Sequence, residues 1–204
     1  MAADPQQPDE PPGQGHARQG DERDLVARAR RGDRPALEAL LASHAPGVRR
    51  FLTTMLGCPV RADDVAQQAL QRACTRLDQL ADDARFRSWL LAIAANAARN
   101  ELRAEVLRQH AGDEALAEVV AARRSALSSL VRREDAARVA LAIDRLPIAL
   151  REAFVLFAVE GLPYAEIAVV TGASEGTLQV RVHRAKALLR SQLGAVVDSF
   201  WLRG

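Results

Sequence analysis

Residues 162–190 carry two helical patterns separated by a single glycine, and this feature constrains the fold more than any other. The first pattern passes through Ile167 and ends at Gly172, and Ser174 then stands where a side chain caps the next helix. On that next helix, apolar residues fall four, three and four positions apart, at Leu178, Val182, Ala185 and Leu189. This spacing places them on one buried face, so the segment predicts a helix-turn-helix.

The outer face of the second helix is basic. Residues 175–190 contain three arginines and one lysine against one glutamate. Arginine and lysine pair with phosphates and release counterions, so a helix with a cationic outer face suits the major groove of DNA. A surface helix with a solvated charged face would have the same composition. The preceding helix, the turn and the cap favour DNA binding over that interpretation.

The rest of the chain is also patterned as helix. Alanine, leucine and arginine favour helices, aromatic residues make up only 4% of the chain, and strand-like alternation is scarce. Asp33 is placed to cap a helix that has Pro35 in its first turn. Residues 57–59 are expected to end that helical pattern, and Asp63 and Asp64 are expected to open the next helix. The sequence therefore predicts an all-α fold.

Composition divides the chain into two helical domains joined by a flexible linker. The expected divisions are a disordered N-terminal tail (1–20), a first domain (21–108), a linker (109–134), a second domain (135–193) and a C-terminal tail (194–204). The N-terminal tail is rich in proline, glutamine, glycine and charged residues, and it cannot bury enough apolar surface to become ordered. The polar linker is expected to let the domains move independently.

Several classes of protein are disfavoured. The net charge of +2 says little about partners, and Cys58 and Cys74 form neither a metal-ligand spacing nor a disulfide framework, which fits a reduced cytoplasm. We interpret both cysteines as small, partly buried side chains rather than a redox switch. The histidines are scattered, and no phosphate-binding glycine loop or nucleophile motif is present, so no metal, cofactor or catalytic residue is expected. No apolar run reaches about 18 residues, so no membrane span is expected.

Short motifs in both halves resemble the extracytoplasmic-function (ECF) sigma factors of bacterial RNA polymerase. Those resembling region 4 of that family are LP at 146–147, REAF at 151–154, EGLPYAEIA at 160–168, GTL at 176–178 and RVHRA at 181–185. Those resembling region 2 are VARARRGD at 26–33, DDVAQQ at 63–68, RA at 72–73 and FRSWLLAIAAN at 86–96. The resemblance spans about residues 21–193. It implies a promoter-recognising initiation subunit with a region 2 bundle and a region 4 helix-turn-helix.

The resemblance also implies a surface for core RNA polymerase. In the family, one region 2 helix docks on the clamp helices of the largest polymerase subunit. The matching residues are Asp63, Asp64, Gln67, Gln68, Gln71 and Arg72. A solvated face opposite an apolar stripe would show the same pattern, so this assignment depends on the resemblance.

Two DNA surfaces are implied in the same way. The residues that match −10 element contacts are Asn96, Arg99, Asn100 and Arg103, close to a loop at residues 80–85. The amide of Asn96 can both donate to and accept from a base edge, whereas Trp89 is expected in the core rather than stacked on a base. The residues that match −35 contacts are Gln179, Val180, Arg181, His183, Arg184 and Lys186.

The resemblance further implies an anti-sigma factor that clamps the two domains when the inducing signal is absent. The apolar residues 196–202 either help that docking or, as we favour, extend and pack the last helix. Three other classes of function stay open. A helix-turn-helix regulator without polymerase binding would share residues 141–190 only, and an enzyme and a helical scaffold protein are the remaining alternatives.

Overall fold

The computed structural model describes residues 15–110 and 131–194, and within them the chain is helical and contains no strand. The front region holds α1 (Gly15–Arg30), α2 (Arg34–Leu56), α3 (Pro59–Arg76) and α4 (Phe86–His110). The rear region holds α5 (Val131–Asp144), α6 (Ile148–Phe154), α7 (Tyr164–Thr171) and α8 (Glu175–Leu193). The predicted all-α fold in two regions is confirmed.

The ends of the predicted linker are helical. Residues 109–110 complete α4, and residues 131–134 form the first turn of α5. The middle of that linker, residues 111–130, lies outside the described residues, as do residues 195–204 of the predicted C-terminal tail.

The first helix begins earlier than the sequence pattern predicts. We expected a disordered tail through residue 20, but α1 starts at Gly15, and only residues 1–14 of that tail lie outside the described part. Val26 and Ala29, near the end of α1, are buried. Because adding a residue to an existing helix needs no new nucleation, a helix packed at this end can extend toward the N-terminus through a mostly polar segment.

Asp33 caps α2 as predicted. Its side chain accepts a hydrogen bond from the backbone N–H of Ala36 at 3.1 Å, and a proline lies in the first turn. Gly32 turns the chain before the cap with a φ of 90°, a value in the left-handed region that favours glycine. Pro46 lies inside α2 without ending it, so the buried residues from Leu40 to Met55 belong to one helix.

The third helix begins at Pro59, so the prediction that Asp63 and Asp64 open it is wrong. Gly57 ends α2 with a φ of 63°, and its N–H donates to the carbonyl of Thr53 at 3.0 Å. Proline suits the first turn of a helix, because its ring fixes φ and its missing N–H would have no partner there. The helix therefore starts as soon as the glycine has turned the chain.

In the rear region, α6 runs into one π turn, Val155–Val159. The N–H of Glu160 donates to the carbonyl of Val155 at 3.0 Å, and Gly161, with a φ of 67°, then redirects the chain toward α7. Inserted π turns are uncommon and occur often at functional sites. The residue that follows this turn, Glu160, has its carboxylate buried between the two regions.

The apolar faces of the helices pack inward in both regions. Phe51 and Phe86 are fully buried in the front, and Phe154, Ile167 and Leu178 in the rear. The sequence predicted two separately packed modules, but the buried side chains of both regions form one continuous cluster. Ion pairs between residues far apart in the sequence border this apolar contact.

Candidate nucleic-acid interface

The outer face of α8 is arranged as the sequence predicts. Leu178, Val182, Ala185 and Leu189 are all buried. The candidate −35 residues Gln179, Val180, His183 and Arg184 are exposed, and Arg181 and Lys186 are half-buried at the edges of the face. The helix thus presents polar and cationic side chains to solvent along the side opposite its packing face.

The turn before α8 sets the direction of that face. Gly172 ends α7 with a φ of 71°, and its N–H donates to the carbonyl of Ala168 at 2.8 Å. Ser174 then caps α8, accepting from the backbone N–H of Thr177 at 3.3 Å. Both features of the predicted helix-turn-helix are therefore confirmed.

Aromatic side chains support the edge of this face. The rings of Phe157 and Tyr164 stack with centroids 4.9 Å apart. The Nζ of Lys186 lies 4.9 Å from the centre of the Phe157 ring, within the range of a cation–π contact. The stack fixes where one positive charge stands beside the recognition face.

The candidate −10 residues lie on α4. Asn96, Asn100 and Arg103 are exposed, whereas Arg99 is half-buried. The guanidinium of Arg99 donates to the Oδ1 of Asn96 and also forms an ion pair with Glu152 of the rear region. Two of the four candidate −10 residues are therefore already engaged within the chain.

The loop beside them is tied to α1. Asp83 pairs with Arg30 at 2.8 Å, and Leu80 is buried. Trp89 is half-buried and packs on Phe86, with ring centroids 5.8 Å apart. The prediction that Trp89 contributes to the core rather than projecting for base stacking is consistent with this packing.

The candidate polymerase face lies along the outer side of α3. All six of its residues are exposed: Asp63, Asp64, Gln67, Gln68, Gln71 and Arg72. The opposite side of the helix is buried through Val65, Ala69 and Ala73. Arg49 of α2 pairs with Asp63 at 2.8 Å across the edge of this face.

Sequence reasoning missed the groups that join the two regions. Arg50 donates to both carboxylate oxygens of Glu160, at 3.1 and 2.8 Å, and Arg87 donates to the backbone carbonyl of Glu160 at 2.7 Å. Ser88 donates to Glu166 at 2.5 Å. The bonded residues are 73 to 110 positions apart in the sequence, so no helical periodicity links them. The one feature of the sequence that pointed to a buried carboxylate was the glutamate that directly follows the apolar run 153–159.

Arg151 makes the most buried of these contacts. Its guanidinium donates to the carbonyl of Met55 at 2.7 Å and pairs with Asp144 at 2.9 Å. The carbonyls in the last turn of a helix have no partner within the helix. An arginine of the rear region therefore satisfies a carbonyl at the end of α2 in the front region.

Glu152 is a buried carboxyl between basic groups. Burial raises its pKa, and the positive charges of Arg99 and Arg181 act in the opposite direction. Arg99 belongs to the candidate −10 surface and Arg181 to the candidate −35 surface. A single carboxyl thus interacts with one arginine from each candidate DNA surface.

The described residues include no group of three or more histidine, cysteine, aspartate or glutamate side chains arranged to hold a metal ion. Across residues 15–110 and 131–194, no helix combines the length and the apolar character that crossing a membrane requires.

Two family models match the chain, one for each region. The model described as Sigma-70 region 2 matches residues 40–108, and the one described as Sigma-70, region 4 matches residues 136–189. The first lies in the front region and contains the candidate polymerase and −10 residues. The second contains the helix-turn-helix. A regulator that shares only the helix-turn-helix does not explain the first match.

Known proteins match over most of the chain. The RNA polymerase sigma-H factor of Pseudomonas aeruginosa is 32% identical over 86% of this chain and 95% of the relative. The RNA polymerase sigma factor CarQ of Myxococcus xanthus is 35% identical over 83% of this chain and 95% of the relative. The ECF RNA polymerase sigma factor EcfG of Rhodopseudomonas palustris is 30% identical over 72% of this chain and 80% of the relative.

The fold is similar to that of solved sigma factors. The structure of CnrH in complex with the cytosolic domain of CnrY matches with a TM-score of 0.65 and 29% identity, covering 86% of this chain and 98% of CnrH. Together with the two matched regions and the relatives, this places both halves in one family. The chain belongs to the sigma-70 family and, within it, to the ECF sigma factors of RNA polymerase.

Proposed function

We propose that this sigma factor recognises a promoter at two sites, with α8 in the major groove of the −35 element and α4 at the melted −10 element. The −35 contacts are assigned to Gln179, Val180, Arg181, His183, Arg184 and Lys186. The exposed positions near the middle of α8 lie where base edges would be read, and the half-buried positions at its sides lie nearer the phosphates.

The outward face of α8 is the observation that carries this proposal. Packing buries every apolar position of its stripe, including Leu178 and Leu189, and leaves the polar and cationic side chains of the opposite side exposed or half-buried. The cap at Ser174 and the turn at Gly172 project this helix from a small domain, the arrangement in which a recognition helix enters a groove.

The −10 proposal concerns Asn96, Arg99, Asn100 and Arg103. Unstacking a base costs a few kcal/mol, which contacts to the base and backbone must offset. The exposed amides of Asn96 and Asn100 are suited to base edges, and the guanidiniums of Arg99 and Arg103 to phosphates. All four lie on one helix, so they can act on one short stretch of single strand.

We assign core polymerase binding to the exposed face of α3, formed by Asp63, Asp64, Gln67, Gln68, Gln71 and Arg72. Our proposed partner there is the pair of clamp helices of the largest subunit. We also propose that the protein has no catalytic activity of its own and works in the cytoplasm, where polymerase and promoter meet.

An anti-sigma factor is a further proposed partner. The CnrH structure was solved with the cytosolic domain of CnrY, and the RpoE structure from Bartonella quintana was solved with the anti-sigma factor NepR. A protein of that class would control this chain by binding both regions at once.

Transcript mapping after overexpression tests the proposed function. RNA 5′ ends that appear only with the wild-type chain should share two sequence elements at fixed spacing. A variant in which Gln67 and Gln68 are both replaced by arginine should fail to co-purify with core polymerase and should give none of these starts. Full co-purification of that variant would remove α3 from the polymerase interface.

A further inference from the structure

Lys186 is the one lysine in the sequence, although lysine and arginine together number 28. It lies on α8, three positions after His183 and seven positions after Gln179. Because an α-helix has about 3.6 residues per turn, positions three and seven apart lie on one side of it. The lysine therefore continues the row of candidate −35 residues that begins at Gln179.

A phenylalanine of region 4 contacts the charged end of this lysine. The Nζ of Lys186 lies over the ring of Phe157, 4.9 Å from its centre. The face of an aromatic ring attracts an ammonium group that lies within about 6 Å of its centre. Both side chains are half-buried, which limits the competition from water. The contact therefore restrains a side chain that would otherwise move freely at the edge of α8.

The ring of Phe157 is held by parts of the fold other than α8. It stacks on the ring of Tyr164, the first residue of α7, with an angle of 15° between the two ring planes. Phe157 is also the middle residue of the π turn Val155–Val159, and both rings pack against the buried core. Single π turns occur often at functional sites. The position of the ring therefore depends on the π turn and on α7.

Restraining a lysine before it binds has an energetic consequence. The side chain is long and flexible, so fixing it on a phosphate costs conformational entropy. A contact that already restrains the side chain in the unbound protein removes part of that cost. The ring lies on one side of the ammonium group, and N–H groups on its other side can still donate to a phosphate. The contact with Phe157 and a contact with DNA can therefore exist together.

We propose that Phe157 is a positioning residue for the −35 contact, whose ring holds the ammonium group of Lys186 on the DNA side of α8 before DNA binds. This inference rests on the proposed function, since it concerns the same recognition face. Phe157 itself does not touch DNA and acts through Lys186. The lysine then binds a phosphate beside the bases that Gln179 and His183 contact.

The single lysine makes this contact directly observable by NMR. Reductive methylation of the full chain with isotopically labelled formaldehyde labels Lys186 and the terminal amine, and the methylated lysine keeps its positive charge. Lys186→Arg lacks the lysine signal and so identifies it. Nuclei over the face of an aromatic ring resonate upfield. The methyl signal of Lys186 should therefore lie upfield of a free methylated lysine in the wild type and at the free position in Phe157→Leu.

The same signal shows whether the contact persists on DNA. When a duplex that carries the mapped −35 element is added to the wild type, the methyl signal of Lys186 should stay upfield, because the ring and the phosphate bind different sides of the ammonium group. A shift to the free position would show that Phe157 releases the lysine to DNA and would overturn the proposal. A wild-type signal at the free position without DNA would also overturn it.

Affinity for the same duplex measures what the contact contributes to binding. Phe157→Leu should weaken binding about two- to fivefold, the factor expected for a partly exposed cation–π contact. Phe157→Tyr keeps a ring at this position and should bind as the wild type does. In a chain that already carries Lys186→Gln, Phe157→Leu should have no further effect, because the ring acts only through the lysine. An equal loss in both backgrounds would show that Phe157 supports α8 as a whole and would overturn the proposal.

Circular dichroism should show that the variants keep the helical content of the wild type. If Phe157→Leu loses it, the wild-type methyl signal with and without the duplex decides the outcome. A wild type that binds the −35 duplex no more tightly than Phe157→Leu refutes the positioning role alone. A wild type that binds no −35 duplex and initiates from no template refutes the proposed function, and the positioning role with it.

Discussion

Arg28 and Asp33 face one another across the turn between α1 and α2, with the Nε of Arg28 2.8 Å from a carboxylate oxygen of Asp33. The other oxygen of Asp33 caps α2. The bond from the Ala36 N–H, followed by the bond from Arg28, lowers the pKa of Asp33 below its ordinary value of 3.8. One carboxylate thus fixes both the start of α2 and its angle to α1.

The acid stability of the protein should depend on this group. Because the folded pKa lies below the unfolded one, the contribution of Asp33 is complete above pH 3.8 and is lost as the pH falls through the lower folded value. Asp33→Asn keeps an oxygen for the cap but loses the charge. The free energy of unfolding, measured with urea between pH 7 and pH 3, should therefore fall less steeply for this variant than for the wild type as the pH is lowered.

The control for that measurement is Asp64→Asn, at an exposed carboxylate on α3. The free energy of unfolding of this variant should fall between pH 7 and pH 3 as it does for the wild type. Equal declines for the wild type and Asp33→Asn would show that the Asp33 carboxylate contributes nothing specific to stability.

A second prediction concerns the support of the recognition helix. Leu178 is fully buried on α8, whereas Leu188 on the same helix is 40% exposed. Leu178→Ala leaves a cavity and should lower the free energy of unfolding by about 2–5 kcal/mol. Leu188→Ala should cost less than about 1 kcal/mol. Urea denaturation followed by circular dichroism measures both, and equal losses would contradict the packing of α8.

A third prediction tests the groove assignment. Arg184→Ala should weaken binding to a duplex that carries the −35 element, and the slope of log affinity against log salt should fall by about 1 if the lost contact is to a phosphate. Arg34→Ala removes an equal charge from the exposed side of α2. It should leave the affinity for the duplex unchanged. If the two variants bind equally at moderate salt, Arg184 is not in the groove.

A fourth prediction separates promoter binding from promoter melting. Asn96→Ala should leave the closed complex with polymerase intact and slow its opening, because the amide is assigned to a base that exists only after unpairing. Permanganate reactivity of unpaired thymines follows the opening. Gln192→Ala, an exposed amide near the end of α8, is the control. Opening at the wild-type rate would exclude Asn96 from the site.

Local signals in the sequence were sufficient for most of the fold. The cap at Asp33, the turn at Gly172 and the stripe through Leu178 depend on residues within about four positions of one another, the range over which helix periodicity and capping act. The start of α3 was misplaced because two aspartates were given more weight than Pro59, which has its own strong preference for a first turn.

The contact between the regions was beyond the reach of such signals. Arg50 and Glu160 are 110 positions apart, and each looks like an ordinary surface charge within its own helix. The π turn at Val155–Val159 carries no residue that marks it in advance, yet it helps to place Glu160. The candidate DNA residues could be named from the resemblance, but not the carboxyl that Arg99 binds.

Transcription in a purified system tests the central claim most directly. Core RNA polymerase combined with this chain should produce run-off RNA from templates that carry the mapped starts, and polymerase alone should produce none. Replacing either of the two shared sequence elements in the template should abolish that RNA. Failure to start RNA from any genomic template with active core polymerase would contradict the assignment of this chain as a promoter-recognising subunit.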